Sequence, residues 1–379
     1  MSKVAIVFCE SYEYSEVKKA VERGFDLLGG SSMFVRPDEK ILVIPNWLST
    51  DPPEKCVTTH PAVFRAVSEV LQRAGAILSY GDSPAFQSPE TAAKRTGISV
   101  IADELNIPLA DFKSGKEVHF PEGYQNKKFT IANAVLESDG VISLPKMKTY
   151  GFQRVTGAIK NQFGCISGAL KGEFHVKVPD AYEFARMLVD LNACIHPRLY
   201  IMDGIFAMEG NGPKGGNPRK MNVLLFSIDS IALDATQCRL MNLDPAMVLT
   251  NKVGMEMGAG TYLAKDIEIL GDPIEDLIAL DFDVNREPEK PFKKSGGVQF
   301  IKNAISPRPY IVAEHCVKCG ICVNMCPVDP KAVNWHDGNK SNPPSYKYDR
   351  CIRCYCCQEL CPEGAILIKK PLIRRVFSK

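Results

Sequence analysis

The sequence predicts an α/β protein: an N-terminal α/β domain of one or two lobes, then a small C-terminal α+β domain. Three observations predict it. From residue 1 to about 280, short β-branched runs alternate with amphipathic helical stretches, the pattern of a sheet covered by helices. Nine of the 14 cysteines fall between 316 and 361, whereas Cys9, Cys56, Cys165, Cys194 and Cys238 are scattered. Charge divides at the same place: residues 301–379 hold 13 Lys+Arg against 6 Asp+Glu, although the formal net charge of the whole chain is only +2. The rest is therefore acidic. With 379 residues, 45% hydrophobic and 24% charged, the composition is that of an ordinary globular protein of two or three domains. No apolar run approaches the ~18 residues of a membrane span. The apolar stretch after Met1-Ser2-Lys3 is too short for a signal peptide, so the expected compartment is the cytoplasm. No global basic field points to nucleic acid.

Taken in order, strands are expected at Val4–Phe8, Ile41–Ile44, Ile77–Tyr80, Gly140–Leu144, Leu199–Met202 and Val223–Phe226. The clearest helix begins at Pro61, a residue suited to a first turn, with Thr59 or His60 as its cap. Its positions Val63, Val67, Val70, Leu71 and Ala74 keep helical spacing. Further helices are expected from Pro89 toward Thr96 and over Ala181–Cys194. Residues 281–310, rich in Pro, Gly, Glu and Lys, break periodicity and read as a linker between domains at 1–280 and 311–379.

The clustered cysteines form two copies of one run. The first is Cys316-x2-Cys319-x2-Cys322-x3-Cys326-Pro327 and the second Cys351-x2-Cys354-x2-Cys357-x3-Cys361-Pro362. This is the bacterial-type [4Fe–4S] spacing, in which three close cysteines and the distant fourth ligate different clusters. A cubane needs a thiolate at each iron, and x2 spacing lets one tight loop reach three of them. By that crossing, one cluster takes Cys316, Cys319, Cys322 and Cys361, and the other takes Cys351, Cys354, Cys357 and Cys326. Zinc knuckles would use C-x2-C pairs and leave the third and fourth cysteines and the repeat unexplained. Cys356 is left over and reads as a packed small residue. The basic module and the acidic remainder attract, which predicts an intramolecular docking surface. The basic tail Lys369–Arg375 reads as solvated.

In open α/β sheets, ligands sit beyond the carboxyl ends of the strands. Here those ends carry Asn46-Trp47, Gly81-Asp82-Ser83-Pro84, Lys146 to Tyr150, and Asp203-Gly204 followed by Glu209 to Gly216. Lys146, Lys148 and Lys160-Asn161 bracket Thr156-Gly157-Ala158. If this stretch leaves a strand and starts a helix, the lysines and free backbone N–H groups form an anion site; the alternative is that the lysines are simply solvated. The candidate catalytic residues are Lys146, Lys148, Lys160 and Asp203. The candidate substrate-binding residues are Asn46, Asp82, Asn161, Glu209 and His175. Glu209, Asp229 and Asp234 are carboxylates open to acid/base, metal or capping roles, and His175 to acid/base, ligand or structural ones. The Gly210–Gly216 loop reads either as a close approach to a ligand or as a surface turn. There is no Walker loop, Gly-x-Gly-x-x-Gly fingerprint, serine triad or zincin motif.

The chain resembles the prokaryotic family catalogued as domain of unknown function 362, many members of which carry a C-terminal two-cluster ferredoxin module. The residues that carry the resemblance are Gly81–Pro84, Leu144–Thr149, Thr156–Gly164, Met202–Gly204, Glu209–Pro213, Ala232–Ala235 and Cys351–Cys357. Members often have His where this chain has Tyr150, so a phenol stands there in place of an imidazole. The resemblance implies the clusters and a site near Lys146–Gly164, and it implies no settled reaction.

Three functions remain open. The first is a cytoplasmic redox protein of anaerobic metabolism, taking low-potential electrons from an external donor such as a ferredoxin and passing them to an anionic substrate or cofactor. The second is an electron-transfer or assembly adaptor without chemistry of its own. The third is a non-redox enzyme with structural clusters.

Overall fold

The computed structural model describes residues 1–287 and 307–369. Its first part contains β1 (Ser2–Phe8), β2 (Lys40–Pro45), β3 (Ile77–Tyr80), a separate hairpin of β4 (Gly115–His119) and β5 (Lys128–Ala132), then β6 (Gly140–Leu144), β7 (Lys146–Tyr150), β8 (Arg154–Thr156), β9 (Leu199–Glu209), β10 (Asn217–Ser227) and β11 (Ile267–Gly271). The main sheet runs β11-β1-β10-β9-β6-β2-β3. Only β10 opposes its neighbours along this path; β1–β11, β2–β3, β2–β6 and β6–β9 pair in parallel. As a result β1, β2, β3, β6 and β9 all point to one edge of the sheet. The hairpin β7–β8 extends that edge by pairing with β9.

The strands are near-continuous apolar runs because both faces are covered. Alternate side chains enter different cores. Ala5 and Val7 meet Val17, Val21 and Phe25 of helix Tyr14–Leu27 and Val63, Val67 and Leu71 of helix Pro61–Arg73. Val4 and Ile6 face Ala232, Leu233 and Ala235 of helix Ser230–Leu240. His60, not Thr59, caps helix Pro61–Arg73: its Nδ1 accepts from the Ala62 N–H at 3.1 Å. The Thr59 hydroxyl is used elsewhere, donating to the Leu144 carbonyl at 2.6 Å. Strands β9 and β10 extend well beyond the expected Leu199–Met202 and Val223–Phe226, because their outer halves continue as a hairpin carrying polar residues that hide it in sequence.

Residues 281–287, expected in the linker, pack on the α/β part. Phe282 and Val284 are buried in the core beneath helix Ser230–Leu240, and the Arg154 guanidinium donates to the carbonyls of Asn285 and Glu287 at 2.7 and 2.6 Å. The rest of the expected linker up to 306, and the tail from 370, lie outside the described residues. Among the described residues, no helix is long and apolar enough to cross a membrane.

The small C-terminal part pairs β12 (Arg308–Ile311) with β15 (Ile366–Lys369), and β13 (Val333–Asn334) with β14 (Ser345–Tyr346). Its two cysteine runs repeat in backbone as well as in sequence. Lys318 and Gly320 are left-handed (φ 58° and 77°), and so are Arg353 and Tyr355 at the same offsets (φ 64° and 61°). Glycine takes that conformation freely. Tyr355 is held in it by packing against Phe152 and by donating its hydroxyl to the Pro307 carbonyl at 2.9 Å. Each left-handed pair leads into a short helix, Ile321–Asn324 or Cys356–Glu359.

The two parts are docked, as charge led us to expect, but not by net charge. Gln358 donates to Asn211 Oδ1 at 2.8 Å and to the Gly212 carbonyl at 2.9 Å, and Asn211 Nδ2 returns to the carbonyls of Gly364 and Ile366. A Cβ on Gly215 would stand 2.6 Å from the Gly364 Cα, so the backbones meet where only glycine fits. The Gly210–Gly216 loop is thus a docking surface for the cysteine module. Among the described residues the ion pair across the junction is Lys160–Glu359. Its polarity is the reverse of the net charges, with the base on the acidic part.

Candidate functional site

The parallel strand ends gather most of the expected polar residues at one edge. Lys146 and Lys148 sit two apart on β7 and point the same way, both only 1% exposed. Lys146 Nζ donates to Asp203 Oδ2 at 2.8 Å and to the Tyr12 hydroxyl at 2.7 Å. Tyr12 donates to Asp203 Oδ1 at 2.8 Å, and the His60 N–H donates to Oδ2 at 3.0 Å. The His60 ring stacks on Tyr12 with centroids 3.6 Å apart. With the Ile205 N–H donating to Oδ1 at 3.4 Å, Asp203 has four donors, and Lys146 is neutralised by a charge of its own chain. Burial, seconded by Asp203, holds the Tyr12 phenol well above its ordinary value, and burial lowers His60 to about 4.

Lys148 is different. Its Nζ donates to Asn46 Oδ1 at 2.7 Å and to the Val57 carbonyl at 2.6 Å, with no carboxylate among those partners. Burial first, then the neighbouring Lys160, lowers it to about 7. Asn46 Nδ2 donates to Asn161 Oδ1 at 2.8 Å, and Asn161 Nδ2 donates to Ser143 Oγ at 2.9 Å. One hydrogen-bonded chain thus joins the ends of β2, β6 and β7. Lys160 lies 3.3 Å from Glu359 and over the Tyr150 ring at 4.7 Å; its side chain keeps 14% exposure, so it has the access that Lys146 and Lys148 lack. Burial is the largest influence on Glu359 and works to raise it, but Lys160, His175 and Lys148 together hold the carboxyl below its usual range. Glu359 also accepts from the Tyr150 hydroxyl at 3.4 Å, and burial raises that phenol.

Asp82 is buried, accepting from the N–H groups of Trp47 at 2.6 Å and Ser83 at 2.7 Å. Burial raises it despite Lys171, which donates to the Ser83 carbonyl and is itself lowered by burial to about 8. His175 lies in an aromatic cage of Phe152, Phe163 and Phe184, stacked on Phe184 at 4.6 Å, and burial lowers it to about 4. Its Nδ1 is buried without a partner. Glu209 is not brought to this group: it accepts from the Asp283 N–H at 3.1 Å, at the far end of β9.

The expected helix N-terminus is spoken for. The segment after Lys146 forms the β7–β8 hairpin before the four-residue helix Ala158–Asn161. The first N–H groups of that helix, of Ala158 and Ile159, donate to Asp234 at 2.7 and 3.2 Å. The first two backbone donors of that helix are thus taken by a carboxylate of the same chain. Burial pushes Asp234 up to about 7. Asp229 caps its own helix through Ile231 and Ala232, and Cys165 is a buried thiol raised by burial.

Sequence reasoning missed Tyr12, His60, Lys171 and Glu359. Tyr12 lies just past the end of β1, so the rule that ligands gather at strand ends points to it as well. Glu359 had no such signal, because it reaches the crevice from the other domain.

In the cysteine module, Cys316, Cys319, Cys322 and Cys361 line one open cavity. Cys326, Cys351, Cys354 and Cys357 line another. Each cavity offers four sulfurs, the donor set an all-thiolate [4Fe–4S] cluster takes, and the grouping crosses between the two runs. The residues present fit that group. Cys356 is buried beside Cys354 and lines neither cavity.

Residues 315–365 match the 4Fe-4S dicluster domain, and residues 41–239, more than half of the chain, match the Domain of unknown function (DUF362). The chain belongs to the DUF362 family. A thylakoid-associated protein of Synechocystis, sll1697, is 33% identical over 276 residues, which are 73% of this chain and 85% of that one. Among solved structures, the lactate racemase apoprotein of Thermoanaerobacterium thermosaccharolyticum matches at 12% identity with a TM-score of 0.38, over 61% of this chain and 55% of its own. A Thermotoga maritima protein matches at 11% identity and 0.35, over 59% of this chain and 57% of its own. The match thus spans little more than half the length of either. This DUF362 member therefore joins the family's α/β domain to an iron–sulfur module of the electron-transfer type, docked against its strand ends.

Proposed function

We propose that this protein is a cytoplasmic iron–sulfur oxidoreductase. It takes low-potential electrons from an external donor such as a ferredoxin and delivers them to an anionic substrate or cofactor at the crevice. Two [4Fe–4S] clusters, held by Cys316, Cys319, Cys322 and Cys361 and by Cys351, Cys354, Cys357 and Cys326, supply one-electron exchange. The observation that carries the reading is Glu359. It is two residues from both Cys357 and Cys361, yet its carboxylate is buried against Lys160 and Tyr150 of the α/β domain. A carrier that merely hung from a linker would have no reason to bury a charge there. In this reading Lys160, which keeps access, receives the anion; Lys148, Asn46 and Asn161 form the wall behind it; and the Lys146–Asp203 pair fixes β7 to β9. Asp82 and His175 line the far side, and Glu209 takes no part.

One observation favours a second reading, the adaptor without chemistry. Lys146 and Lys148 are fully buried and bonded to protein groups, as structural lysines would be. The two readings separate in one experiment. The full chain is reduced anaerobically and its visible absorbance is followed after addition of each of a panel of small carboxylates and phosphate esters. The oxidoreductase reading expects one of them to reoxidise the protein, and Lys160→Met to slow that step at least tenfold. If none reoxidises it while a larger redox enzyme co-purifies with it, the adaptor reading replaces this one.

A further inference from the structure

The two cysteine rings are alike in sulfur count and in having two buried cysteines each, and they differ in exposure at Cys319 and in their side-chain donors. In the first ring Cys319 is exposed, and its neighbour Val317 is 60% exposed beside Lys318. In the second, Cys354 and Cys357 are buried, and Cys357 lies on helix Cys356–Glu359, which docks on the α/β domain. The hydrogen bonding differs too. The Tyr346 hydroxyl donates to Cys357 Sγ at 3.2 Å, and the Ala332 N–H donates to Cys326 Sγ at 3.4 Å. The Arg353 guanidinium is anchored by Nη1 on the carbonyls of Cys351 at 3.1 Å and Tyr348 at 3.4 Å, and it lies against the Cys351 thiol, which it favours in its charged form. Among the described residues, no side-chain hydroxyl, amide or guanidinium donates to a sulfur of the first ring.

A donor on a ligand sulfur stabilises the added negative charge of a reduced cluster, and hydrogen bonds to the sulfurs are a principal lever on cluster potential. A hydroxyl on a thiolate is a charge-assisted bond, stronger than a neutral one. Backbone N–H groups reach sulfurs of both rings, those of Val323, Glu363, Ala365 and Ile366 in the first and of Ala332 in the second, so what sets the second ring apart is the side-chain hydroxyl of Tyr346, a charge-assisted donor added to a backbone set common to both.

We infer that Tyr346 is a positioning residue that raises the potential of the second ring above that of the first, so that an electron accepted at the Cys319 face comes to rest beside Glu359 and Lys160. One electron arrives from an external one-electron donor, and one electron leaves toward the crevice; no proton is required of Tyr346, whose hydroxyl hydrogen stays on oxygen and directed at the Cys357 sulfur throughout. The inference rests on the electron-transfer reading but is tested without any acceptor.

The test is an EPR-monitored redox titration of the full chain with iron counted on each sample, for the wild type, Tyr346→Phe and Tyr348→Phe. Tyr348 is the control. It stacks on Tyr346 at 5.5 Å but donates its hydroxyl to the Pro309 carbonyl, not to sulfur. Two midpoints are expected in the wild type. Tyr346→Phe should lower the higher one by about tenfold in electron occupancy, or ~59 mV for a one-electron couple. The lower midpoint, the iron content and the Tyr348→Phe titration should be unchanged. The inference is overturned if Tyr346→Phe moves the lower midpoint, moves both together, or moves neither at full iron content. If Tyr346→Phe loses iron, the comparison passes to Arg353→Met, which should lower the same higher midpoint, and the inference falls if that midpoint stays. Should the potentials behave as expected while no anion drains the reduced protein, it is the proposed reaction that has failed and not the ordering.

Discussion

The crevice and the cysteine module handle their polar groups in opposite ways. In the module, eight thiols face two cavities and are bonded to little else, an arrangement that makes physical sense only around a ligand. In the crevice, every lysine already leans on the protein: Lys146 on Asp203 and Tyr12, Lys148 on Asn46 and Val57, Lys160 on Glu359, Lys171 on the Ser83 carbonyl. The module is built to be filled, whereas the crevice is built to be held. The difference teaches which cation the junction governs: among the described residues the carboxylate partner of Lys160 comes from the other domain, whereas that of Lys146 lies within its own.

The sharpest way to break this comparison is at the crossing of the cysteine ligands. Cys361→Ala should leave about four of about eight irons, and Cys316→Ala combined with Cys361→Ala should still leave about four, because both serve one ring. If each run instead held its own cluster, the double variant would lose nearly all its iron. Iron analysis on anaerobically purified protein decides.

Next in size is the buried pair. Removing one partner of a buried, hydrogen-bonded ion pair leaves an uncompensated charge and costs ~3–5 kcal/mol. Lys146→Met should therefore lower the chemical-denaturation midpoint markedly, while Lys160→Met, at a pair whose side chains keep 14% and 10% exposure against 1% and 0%, should lower it less. Equal losses would contradict the view that Lys146 is structural and Lys160 accessible. Smaller again is Gly215→Ala. The added Cβ meets the Gly364 Cα, and overpacking costs ~1–3 kcal/mol, which should appear as an earlier loss of the module's visible absorbance on chemical denaturation, with the α/β domain itself intact.

The last concerns pH. Burial lowers Lys148 to about 7, whereas the unfolded chain keeps the ordinary amine value of 10.5. Between those values the unfolded state binds the extra proton, so raising the pH through that window favours the folded state. Asp234 works in the opposite sense at lower pH. Pushed up from 3.8 to about 7 by burial, it keeps a proton in the folded state that the unfolded chain has lost, so its contribution fades as pH rises from about 4 to about 7. Lys148→Met should remove the rise in denaturation midpoint between pH 7 and 10 that the wild type shows.

Much of the frame was legible in the sequence, and for definite reasons. Strands such as Ile41–Ile44 and Gly140–Leu144 are short apolar runs buried on both faces, which periodicity reads well. The cysteine spacing carries its own geometry. What sequence could not give was partnership across distance. Lys146 and Lys148 looked like free cations because Asp203 and Val57 lie far away in the chain. Asp234 looked like a site carboxylate because nothing local shows that it caps the helix at Ala158. Glu359 was hidden between two cysteines whose pattern drew all the attention. Conversely, Phe282 and Val284 were read as linker because the surrounding Pro, Glu and Lys residues outweigh two apolar side chains in any composition window.

The central claim is that the module is a working electron store docked on the crevice. EPR of anaerobically purified protein, as isolated and after dithionite, with iron counted on the same sample, tests it most directly. The account predicts about eight irons and a spin-coupled signal on reduction. Far fewer irons after careful anaerobic handling, or about eight with no reducible signal, would contradict it.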